Sequence, residues 1–160
     1  MKSRSNIQQP LLSAFFSLGL LLKSQADPLQ DLAVTTELMA ASAKKDSNGN
    51  SQPDLERIEA LLPKITEKDV RKIWLNNLML GYYTKVGDRG KPTPDLTRVE
   101  ELLSQVVDKD TKQIWLNNLM LGYYNKVDEN GKPTPDLKNL RRLHALTQNE
   151  DSKKIWSNNI

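Results

Sequence analysis

Ile73–Tyr83 reads IWLNNLMLGYY, and the same eleven residues stand again at Ile114–Tyr124. The offset is 41 residues, and other markers keep it: Pro53-Asp54-Leu55 recurs as Pro94-Asp95-Leu96 and Pro135-Asp136-Leu137, and Trp74 recurs as Trp115 and Trp156. With 53–93 aligned on 94–134, 26 of 41 positions are identical. Self-similarity at a fixed period is the signature of a repeat architecture and outranks any single motif. The chain therefore divides into a diverged half-unit within 27–52, repeats at 53–93 and 94–134, and a shortened third copy at 135–160 that closes the stack. In the half-unit, Leu32–Lys45 (LAVTTELMAASAKK) takes the place of the IWLNNLM segment.

Each unit holds two helical patterns. In the first, Leu55, Ile58, Leu61, Leu62 and Ile65, or Leu96, Val99, Leu102, Leu103 and Val106, recur at spacings of three and four and form one apolar stripe. Thr93-Pro94-Asp95 and Thr134-Pro135-Asp136 mark its start, with Thr expected as N-cap and Pro at the first helical position. Pro63 stands in the stripe of the first copy only and is expected to shorten or kink that helix. The second helix is expected to start with Asp69, Asp110 or Asp151 as N-cap and to run to about Val86 and Val127. The turn residues Gly87-Asp88-Arg89-Gly90 and Asp128-Glu129-Asn130-Gly131 stop it. Ile73, Trp74, Leu75, Leu78, Met79, Leu80 and Tyr82 make it apolar on nearly every side, so it needs cover from more than one neighbour. Gly81 and Gly122 lie mid-helix, where glycine costs about 1 kcal/mol against alanine, and close approach of another helix is the usual compensation. These patterns predict an all-α chain of tandem antiparallel helical hairpins stacked as a short α-solenoid whose units depend on one another.

Leu80-Gly81-Tyr82 and Leu121-Gly122-Tyr123, on the first helix of each hairpin, with a proline near the junction, resemble the tetratricopeptide-like repeats in their long-looped form. The resemblance implies a right-handed stack that binds protein or peptide on its concave side. In that family the helix carrying the Leu-Gly element lines the concave surface, which points to Asn76–Tyr83 and Asn117–Tyr124.

Asn76-Asn77 recurs as Asn117-Asn118 and Asn158-Asn159. Asparagine is a mediocre helix former, and its amide offers two donors and an acceptor, so in apolar company it needs a partner. One partner is a ligand, with amides spaced one repeat apart along an extended peptide. The other is the structure itself, with amides bonded from repeat to repeat. Tyr83 and Tyr124 share a helical face with Asn76 and Asn117 and complete the candidate partner-binding set Asn76, Asn77, Tyr83, Asn117, Asn118 and Tyr124. The three tryptophans read as packing between repeats.

The composition narrows the chemistry. The chain has 23 basic and 20 acidic residues, but Lys2, Arg4 and Lys23 lie in the first 26 residues, where there is no acid. The remainder balances at 20 against 20, so no net positive field exists to drive phosphate binding and no nucleic-acid partner is expected. Without cysteine there is no disulfide, thiolate metal site or cysteine nucleophile. Asp46-Ser47-Asn48-Gly49-Asn50 and Asp128-Glu129-Asn130-Gly131 lack the ligand spacing of a calcium loop, and turn chemistry accounts for them. His144, the single histidine, replaces Leu62 and Leu103 of the other copies, and Ser157 replaces Leu75 and Leu116, as an end unit with a more polar outer face requires. No catalytic set, metal or cofactor is expected.

Residues 1–26 join a basic start to the apolar run Leu11–Leu22 (LLSAFFSLGLLL), followed by Ser24 and Ala26 as small residues ahead of Asp27. This is the pattern of a secretory signal peptide, with an uncleaved anchor or a transit sequence as the alternatives. The run of 12 residues is shorter than the ~20 a spanning helix needs, so cleavage rather than a stable membrane anchor is expected, and with it a secreted or periplasmic protein. The functional expectation is an exported, non-enzymatic scaffold for a protein or peptide. Self-assembly through the open C-terminal half-unit Ile155–Ile160 is the rival role, and glycan binding by the aromatic residues a third.

Overall fold

The computed structural model describes residues 28–87 and 90–160, so the expected signal peptide and part of the Gly87–Gly90 turn lie outside the described residues. Those residues form seven α-helices: α1 (Pro28–Ser42), α2 (Leu55–Leu61), α3 (Lys68–Tyr83), α4 (Leu96–Leu103), α5 (Lys109–Tyr124), α6 (Leu137–Leu146) and α7 (Glu150–Ser157). Among the described residues there is no β-strand, only three isolated bridges, and the protein is all-α. Each helix packs against its neighbours in sequence, most closely α1 with α2, α3 with α4 and α5 with α6.

The helix ends are set by side chains placed slightly differently from the sequence expectation. The stripe helices are capped by Asp54, Asp95 and Asp136, whose carboxylates accept the N–H of Arg57, Arg98 and Asn139 at 3.1, 3.0 and 3.1 Å. Thr93 and Thr134 are not the caps: the N–H groups of Asp95 and Asp136 donate to the carbonyls of Tyr82 and Tyr123, which places each Asp at the helix mouth and its Pro outside. The N-caps of α3, α5 and α7 stand two residues before the expected acids, at Glu67, Asp108 and Asn149. Asp108 and Asn149 there accept the N–H of Thr111 and Ser152. Asp69, Asp110 and Asp151 then fall in the first turn, where a carboxylate complements the helix dipole. The helices stop at Tyr83 and Tyr124 rather than at Val86 and Val127, because those valines pair with Pro92 and Pro133 in the bridges that close the loops. Gly49, Gly90 and Gly131 carry φ of 82°, 69° and 78° at the loop tips, a conformation that favours glycine. Asp46 accepts the N–H of Asn48 and Asn50, and Asp128 those of Asn130 and Lys132, so both carboxylates are spent on turn geometry. At Pro63 helix α2 gives way to a 3-10 turn over Leu62–Lys64, whereas α4 stays helical to Leu103.

The core runs continuously through the helices. Trp74, Leu75, Leu78, Met79 and Tyr82 of α3 are buried, and Trp115, Leu116, Leu119, Met120 and Tyr123 of α5 repeat them. Val99, Leu102, Leu140 and Leu143 meet them from the shorter helices. The mid-helix glycines seat leucines: a Cβ on Gly122 would stand 2.6 Å from Leu96 Cδ2, and one on Gly81 would strike Leu55. Close approach therefore compensates for glycine inside these helices.

Candidate functional site

The five buried positions of α3 cover one side of that helix, and the opposite side is open. Ile73, Asn76, Asn77 and Leu80 follow the spacing i, i+3, i+4, i+7 and share that side. Ile73 and Asn76 are exposed, and Asn77 and Leu80 half-buried. On α5 the same strip is Ile114, Asn117, Asn118 and Leu121, with Ile114 58% and Leu121 44% exposed. On α1 it is Leu32, Thr35, Thr36 and Met39, and on α7 it begins with Ile155, 60% exposed. Aliphatic side chains thus stand in water at equal places on four helices. The sequence reading expected cover on more than one side of this helix; Ile73 stays exposed, and only Leu80, half-buried, packs against the edge of the core. The legible signal was that Trp74, Leu75, Leu78, Met79 and Tyr82 already fill one complete stripe, which leaves Ile73 and Leu80 on the far side.

The paired asparagines separate into two roles. Asn76 Oδ1 accepts the indole N–H of Trp115 at 2.8 Å, and Tyr83 meets the Trp115 ring edge-on with centroids 6.2 Å apart, which joins α3 to α5. Between α5 and α7, Asn117 Nδ2 donates to Ser152 Oγ at 3.2 Å and Tyr124 meets Trp156 at 6.1 Å. Asn76, Asn117, Tyr83 and Tyr124 are therefore engaged between helices, although Tyr124 keeps 39% of its surface exposed. Burial raises the Tyr83 hydroxyl above the ordinary tyrosine range. Asn77 and Asn118 are half-buried, and their amides take no hydrogen-bond partner among the described residues. Of the expected site residues, these two are free to meet a ligand.

Two open depressions lie elsewhere, at equal places in successive repeats. One, of about 520 Å³, is lined by Glu59, Tyr82 and Arg98 among others; the second, of about 340 Å³, has Glu100, Tyr123 and Arg142. In the first, Tyr82 donates its hydroxyl to Glu59 at 2.9 Å while Arg98 forks onto the same carboxylate. Burial, then the Glu59 carboxylate, push the Tyr82 hydroxyl up to about 12. In the second, Arg142 grips Glu100 with both terminal nitrogens. Both acids are neutralised and hydrogen-bonded, so the clusters clamp adjacent helices and leave no free base or nucleophile. His144 is likewise occupied, its Nε2 lying 3.1 Å from the Lys153 carbonyl and 3.2 Å from Ser157 Oγ. Among the described residues no group of three His, Asp or Glu is placed to hold a metal ion, and no helix is long and apolar enough to cross a membrane.

No protein-family model, no curated protein and no solved structure matches this chain. The geometry of the strip is what bears on function.

Proposed function

We propose that this protein is an exported, non-enzymatic scaffold whose antiparallel helical hairpins stack as a right-handed, tetratricopeptide-like α-solenoid, and that it binds a protein or peptide along α1, α3, α5 and α7. The observation that carries the reading is the strip aliphatic–Asn–Asn–aliphatic at the same register on α3 and α5, exposed at Ile73, Ile114 and Leu121 and half-buried at Asn77, Leu80 and Asn118. Exposed apolar side chains scattered singly need no explanation, but a row repeated from helix to helix marks an interaction surface. An uncommitted amide within such a row supplies the polar contact that orients a ligand.

The test is selection of a displayed library of random peptides on the chain from Asp27 to Ile160. Enriched peptides should lose most of their affinity for the Asn77→Ala, Asn118→Ala double variant, while its melting temperature does not fall, because those amides bond nothing among the described residues and alanine is the better helix former. Peptides that bind the variant equally well, or no enrichment at all, would remove the reading. Leu137, Leu146 and Ile155, all exposed on the last two helices, favour a second reading in which copies associate end to end. Light scattering that shows a monomer at every concentration would dismiss it.

A further inference from the structure

The loops that follow α1 and α5 each place an asparagine before a glycine, Asn48-Gly49 in the first and Asn130-Gly131 in the second. The loop after α3 has Arg89-Gly90 at that place. In an Asn-Gly pair the main-chain nitrogen of the glycine can attack the asparagine's own Cγ and close a succinimide ring. The fold leaves this reaction open at both sites. All four residues are exposed. The carboxamides of Asn48 and Asn130 have no hydrogen-bond partner among the described residues; only their main-chain N–H groups are bonded, to Asp46 and Asp128. Gly49 and Gly131 have φ of 82° and 78°, and apart from their chain neighbours no atom lies within 4 Å of where a Cβ would stand, so the glycine side of the ring meets no obstruction. Each glycine N–H donates to the carbonyl of Asp46 or Asp128, at 3.1 and 3.0 Å. These are exposed bonds at loop tips, and such bonds open at little cost.

Other asparagines are held back. Asn50, in the same loop as Asn48, donates its Nδ2 to Asp46 Oδ2 at 3.0 Å, and the residue after it is Ser51, whose side chain crowds the attacking nitrogen. Asn76, Asn77, Asn117 and Asn118 lie inside α3 and α5. There a helical ψ of about −42° and the bonding of the next N–H to the turn before it keep that nitrogen away from Cγ.

We infer that Asn48-Gly49 and Asn130-Gly131 are self-modification sites that convert to aspartate and isoaspartate, with water as the one co-reactant. The glycine N–H gives up its proton to solvent, its nitrogen bonds to Cγ, the Cγ–Nδ2 bond breaks and ammonia leaves. Water then opens the ring. Cleavage of the new bond to Cγ gives aspartate, and cleavage of the original peptide bond gives isoaspartate, in which the main chain runs on through Cγ. Either product replaces a neutral amide with a carboxylate beside Asp46 or Asp128, in a stretch, residues 27–160, that balances at 20 basic against 20 acidic residues. Isoaspartate also adds a methylene to a main chain whose ends are fixed by the Lys45–Ser51 or Val127–Pro133 bridge, so the turn bonds to Asp46 or Asp128 cannot all be kept.

The experiment incubates the intact folded chain in mildly alkaline buffer beside the same chain in urea. Ion exchange reads the added charge, and peptide mass spectrometry with enzymatic methylation of isoaspartate reads the position. In the folded chain Asn48 and Asn130 should convert on the order of tenfold faster than Asn50 or the paired asparagines of α3 and α5. Survival of both over a period in which the chain in urea converts them would overturn the inference, because the fold would then close the reaction. Conversion of Asn50 at the rate of Asn48 would equally overturn it, since the bond to Asp46 would confer no selectivity. Asn48→Gln with Asn130→Gln keeps the fold, read by circular dichroism, because neither carboxamide is bonded among the described residues. That variant should lose the acidic forms, and their persistence would show that the modification lies elsewhere.

Discussion

The junction of α3 with α5 and the junction of α1 with α3 are built on the same buried tryptophan in different collars. Around Trp115, α3 supplies Asn76 for the indole N–H and Tyr83 for the ring edge. Around Trp74 the equivalent places on α1 are Thr35 and Ser42, both smaller. Trp74 Nε1 is the one buried side-chain polar atom without a hydrogen-bond partner among the described residues. A buried donor left without an acceptor costs about 1–3 kcal/mol, so near-identical packing conceals unequal junctions. The aromatic body supplies burial at both, and the collar decides how firmly the next helix is held in register.

Breaking the better junction should have the largest effect. Asn76→Ala leaves the Trp115 indole in the state of Trp74 and should destabilise the chain by about 1–3 kcal/mol, read as a lower denaturant midpoint at unchanged slope. No loss would mean that the Asn76 bond contributes nothing to holding α3 and α5 together. Repair of the poorer junction should be smaller and of opposite sign. Thr35→Asn places an amide where the Trp74 indole can reach it and should stabilise by about 1 kcal/mol, an effect that Trp74→Phe should abolish in a double-mutant cycle. Additive behaviour in that cycle would show that the new amide never meets the ring.

The smallest effect concerns the outer clamp and is seen only in alkali. Tyr82 ionises at about 12 in the folded chain against 10.0 for an ordinary tyrosine. Raising the folded value means that its contribution is fully present below pH 10 and disappears as pH climbs through 12. Thermal unfolding of Tyr82→Phe should therefore lose less stability than the parent over that interval. Parallel curves would show that Glu59 and Arg98 alone carry the clamp.

Much of the architecture was readable before any coordinates. The 41-residue offset, the stripes at spacings of three and four and the Gly-rich turns locate the helices, and Gly81 and Gly122 announce the leucines that press on them. The caps were off by two residues because aspartate and threonine both accept N–H bonds well, and the docking of Asp95 onto the Tyr82 carbonyl settles which one sits at the helix mouth.

The amino-acid order by itself determined an all-helical chain with one unit used repeatedly, because apolar period and turn chemistry are local properties that each copy carries complete. Only the tertiary structure decided the fate of each asparagine. Asn76 and Asn77 are chemically identical neighbours, yet one helical step of about 100° turns the first towards Trp115 and the second away from it. Two such steps, about 200°, separate buried Leu75 from exposed Ile73, a distinction set by which side of α3 its neighbouring helices occupy.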